Sequence, residues 1–205
     1  TRKFFEGPRQ KNEMLNYLSK CKNPVIITDN HLSCDIPNIY DILLVHHGCA
    51  MTTATNNPDW GEPWKSLCTN GQNKMLSYRE VDKTTIISIS EACTDDFTKY
   101  YGETYTRFNR LSILHPSELD ENREKKIWNK EPVVLGNWLG IKKGERLIPE
   151  LKKNISEFKF IQLNVRGDHR GIDNFNKRKQ DIYLNSDIFL QISNSEGNSY
   201  ATLDA

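Results

Sequence analysis

Short apolar runs rich in Ile, Val and Leu recur along the chain, and polar segments separate them. Runs of about four to eight such residues, bounded by polar residues, are typical of buried β-strands. In the first half of the chain the predicted strands cover residues 24–28, 41–45, 84–89 and 110–114. In the second half they cover residues 132–136 and 158–165, and the apolar run 182–193 contains a further strand near Asp187.

Helical periodicity appears between these runs. Apolar residues recur at helical spacing within residues 11–20, which predicts an amphipathic helix. Ser90 is expected to cap a helix that extends to about Tyr101. Further helices are predicted over residues 74–82, over residues 143–152 and in a short segment after residue 176. Strands that alternate with helices imply parallel sheets covered on both faces, so the predicted fold class is α/β.

Two segments depart from this regular alternation. Residues 52–72 are rich in Asn, Pro, Gly and Trp, which predicts a long loop, and long loops in compact domains are often functional. Pro149 lies inside the predicted helix 143–152 but beyond its first turn, where a proline is poorly tolerated.

A charged segment separates the two series of strands. Residues 117–130 contain few small apolar residues, as is typical of connections between domains. We therefore predict an N-terminal domain at residues 1–122, a linker at residues 123–131 and a C-terminal domain at residues 132–205.

The charge balance and the cysteines exclude several classes of protein. With 28 basic and 27 acidic residues the net charge is +1, so no global field would attract nucleic acid or an anionic membrane. No apolar stretch reaches the length of a transmembrane helix, and the N-terminal residues contain no apolar signal-peptide core. The five cysteines are odd in number and widely spaced, which favours reduced thiols in a cytoplasmic protein over a disulfide framework.

The last ten residues carry the most informative candidate site. Glu196, Gly197, Asn198 and Ser199 open a predicted helix directly after a strand, where α/β proteins bind ligands. An acidic residue beside exposed backbone N–H groups at a helix start can hold a sugar and a phosphate. Asp204 is eight positions after Glu196 and about 80° away around a helix, so both carboxylates could face one cleft. Compensation of the helix dipole would also explain Glu196 by itself.

A second candidate site lies between the strand 132–136 and the next helix. Lys142 and Lys143 stand at the predicted start of that helix. Lys143 could reach a diphosphate as a point charge, with backbone N–H groups assisting. Considered alone, the two lysines are better explained as ordinary solvated side chains.

The order of these features resembles the nucleotide-sugar half of GT-B glycosyltransferases, in particular the retaining family 4 (group 1) enzymes. In that family a strand ends in Gly-Arg and a Lys-Gly pair opens the next helix. An aspartate strand then leads to Ser-x-x-Glu-Gly and to a second acid eight residues later. The matching segments here are Gly136-Asn137, Lys143-Gly144, the strand at Asp187, Ser193-Asn-Ser-Glu-Gly197 and Asp204.

The first half of the chain also resembles this family. Tyr40-Asp-Ile-Leu-Leu-Val-His-His-Gly48 is similar to a strand that ends in a catalytic-cleft histidine, and His47 aligns best, with His46 beside it. Residues 85–90 resemble a strand that ends in serine before a helix, and residues 111–116 resemble the last strand before the linker.

The resemblance implies a role for each matching residue. Lys143 would bind the donor diphosphate, Glu196 would lie by the donor sugar, and Asp204 would hold the ribose hydroxyls. Backbone N–H groups of the segment between the two acids would contact the sugar and the phosphate; these residues are Gly197, Asn198 and Ser199. His47 would orient a hydroxyl or the acceptor in the catalytic cleft.

The chain departs from the family pattern at several points. Asn137 stands where the family has Arg, which removes one diphosphate contact, and Asp204 is one methylene shorter than the usual Glu. The segment between residues 165 and 183 is short, and the family's opening strand and Gly-rich loop have no counterpart. The expected fold is therefore GT-B-like, with two Rossmann-like parallel-sheet domains that are both incomplete.

The implied activity is transfer of a hexose from a nucleotide-diphosphate sugar to a hydroxyl of a glycan, lipid or protein acceptor, with retention. No cofactor is expected, because the sugar nucleotide is a substrate. No metal is expected, because no Asp-x-Asp pair occurs and because His46 and His47, adjacent on a strand, point to opposite sides. The alternatives are an inverting transferase in which His47 is the base, a nucleotide-sugar epimerase of the same fold, and a truncated, non-catalytic binding fragment.

Overall fold

The computed structural model describes residues 3–5, 7–114, 128–140, 143–163 and 179–194. The chain is an α/β protein with one four-stranded and one three-stranded sheet. It divides into two compact units. The first comprises Thr1–Thr55 and Gly61–Leu114, and the second comprises Asn56–Trp60 and His115–Ala205.

The sheet of the first unit contains strands β1 (Ile26–Asp29), β2 (Ile42–His46), β3 (Thr84–Ser88) and β4 (Asn109–Ser112). Neighbouring strands are parallel and follow the chain order. The helices are α1 (Lys11–Leu18), α2 (Ala50–Asn56), α3 (Trp64–Tyr78), α4 (Glu91–Tyr101) and α5 (Glu103–Thr106). Short 3₁₀ segments occur at Gly7–Gln10, Asn30–Asp35 and Val81–Lys83. The predicted strands of this half and the helix α1 are thus confirmed.

The core of the first unit lies on one face of its sheet. In β2 and β3 every second residue is buried, and the parallel register places Leu44 beside Ile86 on the buried face. Met75 from α3 and Phe97 from α4 belong to the same apolar cluster. A strand order that follows the chain, with right-handed crossovers, brings the connecting helices to one side of the sheet.

The opposite face of this sheet is partly exposed, although both faces are predicted to be covered by helices. Ile27 on β1 is 69% exposed and Leu111 on β4 is 52% exposed. In the sheet register Ile27 is paired with Leu43, and Leu111 is paired with Ile87. Leu43 and Ile87 alternate with the buried residues of β2 and β3, so Ile27 and Leu111 lie on the opposite face of the sheet. The one-sided placement of the helices accounts for this exposure.

The predicted long loop at residues 52–72 is wrong, because α2 and most of α3 occupy it. The buried residues of α3 are Gln72, Met75 and Leu76, all near its C-terminal end. Its first turns are largely polar or exposed, so their sequence lacks the apolar periodicity by which helices are predicted. The helix predicted over residues 74–82 is correspondingly the last part of α3, which ends at Tyr78.

The predicted cap of α4 is confirmed. The Ser90 hydroxyl accepts a hydrogen bond from the backbone N–H of Cys93 at 3.1 Å. This bond satisfies one of the N–H groups that a helix start leaves without a partner.

The second unit has a sheet of β5 (Val133–Gly136), β6 (Lys159–Gln162) and β7 (Ile188–Phe189) in the order β6-β5-β7, with both neighbours parallel to β5. Helix α6 spans Ile148–Asn154 after a 3₁₀ turn at Glu145–Leu147, and helix α7 includes residues 179–184. Leu135, Leu163 and Tyr183 form the centre of its apolar cluster.

In the second unit one predicted boundary is wrong and two predicted elements are confirmed. The helix expected from Lys143 is a 3₁₀ turn followed by α6, which begins at Ile148, so Pro149 lies in its first turn, where proline is tolerated. The short helix predicted after residue 176 and the strand predicted near Asp187 are confirmed as α7 and β7, although the apolar run that begins at Ile182 lies partly in α7. The Asp187 carboxylate accepts from the backbone N–H of Val133 at 2.8 Å and thereby fixes the entry of the chain into β7.

No helix in the part of the chain that the structure describes is both long and apolar enough to cross a membrane.

Candidate functional site

The carboxyl ends of β1 and β2 bring two titratable side chains together in the first unit. Asp29 ends β1, and His47 follows the last residue of β2. The two strands are in register, with Asp29 opposite Val45, so the end of β1 lies beside the turn after β2. Parallel sheets of α/β proteins bind ligands at this edge, which makes the pair a candidate functional site.

The geometry of this pair allows an ionic interaction. The Nε2 atom of His47 lies 3.5 Å from the Oδ2 atom of Asp29, and the two side chains are 48% and 47% exposed. That distance is longer than a strong charge-assisted hydrogen bond, but it places a carboxylate oxygen close to the imidazole ring. The His47 ring and the Asp29 side chain are each about half exposed, although the Oδ1 atom of Asp29 is buried.

His46 has the opposite environment. Its ring is fully buried, stacks on Phe97 with 4.2 Å between ring centroids, and places Nε2 3.4 Å from the sulfur of Met75. Burial lowers the pKa of His46 to about 3, so the ring is neutral at physiological pH. The two adjacent histidines therefore differ in role, and of the two only His47 can meet a substrate.

Gln72 fixes the turn that carries His47. Its side-chain oxygen accepts from the backbone N–H of Ala50 at 2.8 Å and from the Tyr101 hydroxyl at 3.2 Å. Its side-chain nitrogen donates to the carbonyl of Gly48 at 2.8 Å. This residue could not be identified from the sequence, because it lies at the end of the segment predicted to be a loop and no motif marks it.

The buried cysteines do not provide a nucleophile. Cys49 and Cys93 are free thiols, and burial raises the pKa of Cys93 to about 12 and also raises that of Cys49. Thiols with raised pKa values stay protonated and unreactive at neutral pH. The two residues pack in the core of the first unit.

In the second unit the loop after β5 is tied to both neighbouring strands. The backbone N–H of Trp138 donates to the side-chain oxygen of Gln162, and its indole N–H donates to the carbonyl of Leu190, both at 3.0 Å. The Gln162 side-chain nitrogen donates to the side-chain oxygen of Asn137 at 3.3 Å. These bonds organise the carboxyl edge of the second sheet.

Gly136 at the end of β5 and Gly144 in the loop after it allow neighbouring atoms to approach the backbone closely. A Cβ atom on Gly136 would overlap the Trp138 indole and lie 2.5 Å from the Leu190 carbonyl oxygen. Gly144 has a φ of +83°, and a Cβ there would lie 2.8 Å from the carbonyl oxygen of Ile192. Glycine is therefore required at both positions on steric grounds.

Gly136→Ala is expected to destabilise the second unit by about 1–3 kcal/mol, because the methyl group must displace a buried indole or a backbone carbonyl. Urea unfolding followed by tryptophan fluorescence measures the effect. Gly61→Ala is the matched control, since a Cβ at Gly61 meets no atom within 4 Å. Equal stabilities of the two variants would contradict the steric argument.

The second unit also uses a segment from an earlier part of the chain. Arg146, in the 3₁₀ turn before α6, lies 3.0 Å from the carboxylate of Asp59. Beyond β7, the Asn194 side chain donates to the side-chain oxygen of Asn57 at 3.3 Å, and its carbonyl accepts from Asn56 at 3.2 Å. The sequence contains no signal for these long-range contacts.

The structure places some of the predicted site residues. Asn137 and Lys143 lie after β5 at the carboxyl edge of the second sheet, and the half-buried Lys143 donates its backbone N–H to the Gly140 carbonyl at 2.9 Å. His47 lies at the corresponding edge of the first sheet. The others lie outside the described residues; these are Lys142, Glu196, Gly197, Asn198, Ser199 and Asp204.

Within the described ranges no group of three or more His, Cys, Asp or Glu side chains is arranged to hold a metal ion. A comparison with models of known protein families finds no match, and a comparison with curated protein sequences finds none either.

Proposed function

We propose that this protein transfers a hexose from a nucleotide-diphosphate sugar to an acceptor hydroxyl. The observation that carries the proposal is the turn that starts at Gly136, the last residue of β5. Gly136 and Lys143 match the order of the glycosyltransferase motif, and Asn137 stands where that motif has Arg. This turn lies at the carboxyl end of a central parallel strand, where ligands of α/β proteins bind. The organised loop and its lysine are suited to an anionic ligand.

The proposal assigns the donor to the second unit. Lys143 would contact the diphosphate, and Asn137, which replaces an arginine of the family pattern, is a neutral amide bonded to Gln162. The family pattern places an Arg and a Lys at the diphosphate, and of these two positive charges this chain keeps the one on Lys143. Glu196 and Asp204 would contact the donor sugar and the ribose, and the backbone of Gly197, Asn198 and Ser199 would contact the sugar and the phosphate.

The chemistry asked of these groups is mainly electrostatic. Cleavage of the bond between the sugar and the diphosphate leaves positive charge on the sugar and negative charge on the diphosphate. A lysine held at the diphosphate interacts more strongly with the separated charges of the transition state than with the ground state. This difference lowers the barrier. The family resemblance implies retention, in which the leaving phosphate oxygen can itself accept the proton of the acceptor hydroxyl.

A thermal-shift assay with UDP-, GDP- and ADP-sugars tests donor binding. A ligand that binds only the folded state stabilises it, by about 2.7 kcal/mol at a concentration of 100 times Kd. We expect one class of donor to raise the Tm, followed by sugar transfer or donor hydrolysis in an activity assay. A raised Tm without turnover would indicate a binding fragment, and no shift with any donor would refute the proposal.

Lys143→Ala is expected to weaken donor binding by about 1–3 kcal/mol, because the diphosphate loses a charged partner. The measurement is the donor concentration that gives a half-maximal Tm shift. Lys152→Ala, which removes an exposed lysine from α6, is the control and should leave donor binding unchanged. Equal donor affinity in the Lys143→Ala variant and the original protein would exclude the diphosphate role of Lys143.

A further inference from the structure

The segment Asn56–Trp60 belongs to the second unit, and hydrogen bonds anchor its first part to the chain after β7. The Asn56 side chain donates to the Asn194 carbonyl at 3.2 Å, and the Asn194 side chain donates to the side-chain oxygen of Asn57 at 3.3 Å. Asn57 is buried, so its bond to Asn194 is shielded from solvent. These bonds fix the segment without a contribution from its other end.

The last part of the segment forms an exposed ion pair. The Oδ2 atom of Asp59 lies 3.0 Å from the Nη1 atom of Arg146, and the two side chains are 59% and 62% exposed. Exposed ion pairs contribute little to stability, because water screens the charges and both side chains lose conformational freedom. Since Asn57 already anchors the segment, the pair is not needed to hold it. The guanidinium can therefore exchange the carboxylate for another anion at little cost.

Arg146 lies close in sequence to the lysine already assigned to the donor. It is in the 3₁₀ turn after β5, three residues beyond Lys143. The carboxylate of Glu145, which stands between them, accepts from the backbone N–H of Gly140 at 2.7 Å and is thus bonded to the loop itself. The loop therefore carries two cationic side chains beyond the carboxyl end of the central strand, where ligands of α/β proteins bind.

These two side chains suit a diphosphate better than a single phosphate group. A guanidinium donates two parallel charge-assisted hydrogen bonds to one phosphate group, whereas an ammonium acts as a point charge. Two adjacent phosphate groups would engage both cations. Such bonds are stronger than an exposed ion pair, so a bound diphosphate would displace the Asp59 carboxylate from Arg146.

We propose that Arg146 is a second diphosphate-binding residue of the donor site, and that Asp59 is the counterion it gives up when a nucleoside diphosphate or its sugar ester binds. This inference rests on the proposed function and adds a residue to the same site. Asp59 competes with the ligand for one guanidinium, and the bonds of Asn57 keep the segment in place after the exchange.

Isothermal titration calorimetry on the full chain tests the role of Arg146, with UDP, GDP, ADP and inorganic pyrophosphate as the probes. Arg146→Gln should weaken binding of the tightest probe by roughly 10- to 100-fold, because two charged hydrogen bonds are lost. Arg146→Lys keeps the charge and should recover part of the affinity. Lys153→Gln, which removes an exposed cation from α6, is the matched control and should leave the affinity unchanged.

A double variant tests the competition. Asp59→Asn should tighten binding of the same probe by about 2- to 5-fold, since an exposed ion pair no longer competes with the ligand. In the Arg146→Gln background Asp59→Asn should have no effect. Asp181→Asn, which changes an exposed carboxylate of α7, is the control and should leave the affinity unchanged. Weaker binding in Asp59→Asn, or equal tightening in both backgrounds, would overturn the exchange.

The outcomes separate this inference from the proposed function. If a nucleoside diphosphate binds and Lys143→Ala weakens it while Arg146→Gln does not, the role of Arg146 is wrong and the proposed function stands. If pyrophosphate binding depends on Arg146 but no sugar nucleotide binds, the anion site stands and sugar transfer is wrong. If neither pyrophosphate nor any nucleoside diphosphate binds, both are wrong.

Discussion

Replacement of Arg79 by methionine is expected to destabilise the first unit by about 3 kcal/mol or more. The Arg79 side chain is buried and donates to the Ile36 carbonyl at 2.9 Å, to the Thr84 hydroxyl at 3.2 Å, and to the Ser33 and Tyr40 carbonyls at 3.4 Å. Methionine has similar length but no donor, so buried acceptors lose their partners, at about 1–3 kcal/mol for each group left unsatisfied. Arg79 thus joins the segment before β2 to the end of α3 and the start of β3.

Urea unfolding followed by far-UV circular dichroism measures this loss. Arg79→Lys keeps the charge but offers a single donor group in place of the planar fork, and we expect it to recover only part of the stability. Arg9→Met, at an exposed position of the 3₁₀ segment Gly7–Gln10, is the control and should change stability by less than about 0.5 kcal/mol. A loss below about 1 kcal/mol in Arg79→Met would show that water satisfies these acceptors.

His46 is expected to make the first unit sensitive to acid. Burial lowers the pKa of His46 from its ordinary value of 6.5 to about 3 in the folded protein. Between these values the unfolded chain binds a proton that the folded chain does not bind. The free energy of unfolding therefore falls as the pH decreases from about 6.5 towards 3, by up to about 1.4 kcal/mol per pH unit from this group, and this contribution is fully present above pH 6.5.

Chemical unfolding at a series of pH values checks this prediction. His46→Gln removes the titration, so its free energy of unfolding should depend less steeply on pH over that range than that of the original protein. Met75→Leu disturbs the same contact without a change in titration, and it should lower stability but keep the original slope. Equal slopes in His46→Gln and the original protein would mean that His46 binds its proton equally well in the folded and unfolded states.

The strands could be predicted because burial determines their composition. The β-branched residues of β3 and the aliphatic residues of β2 fill a core face, and their apolar runs are visible without tertiary information. Helix α3 could not be predicted in this way, because its stability depends on burial of Gln72, Met75 and Leu76 against other elements. Propensity is a weak guide wherever packing of this kind decides the structure.

The candidate site was predictable only in part. His47 was identified from the family-like strand that precedes it, but its contact with Asp29 depends on the register of β1 and β2, which spacing along the chain does not reveal. The hydrogen bonds of Gln72 likewise could not be predicted, because they depend on the position of α3 beside the turn that follows β2. The roles of Glu196 and Asp204 stay predictions, since these residues lie outside the described part of the chain.

The contribution of Asn56–Trp60 to the second unit constrains how the gene can change. A connection between two helices of a compact unit usually tolerates insertions and deletions, because it contacts little besides solvent. Here Asp59 contacts Arg146, and Asn57 contacts Asn194. A change in the length of this short connection would therefore disturb the second unit, although the connection lies between two segments of the first unit. The two units are therefore not interchangeable modules, and recombination between residues 114 and 115 would separate the second unit from part of its own structure.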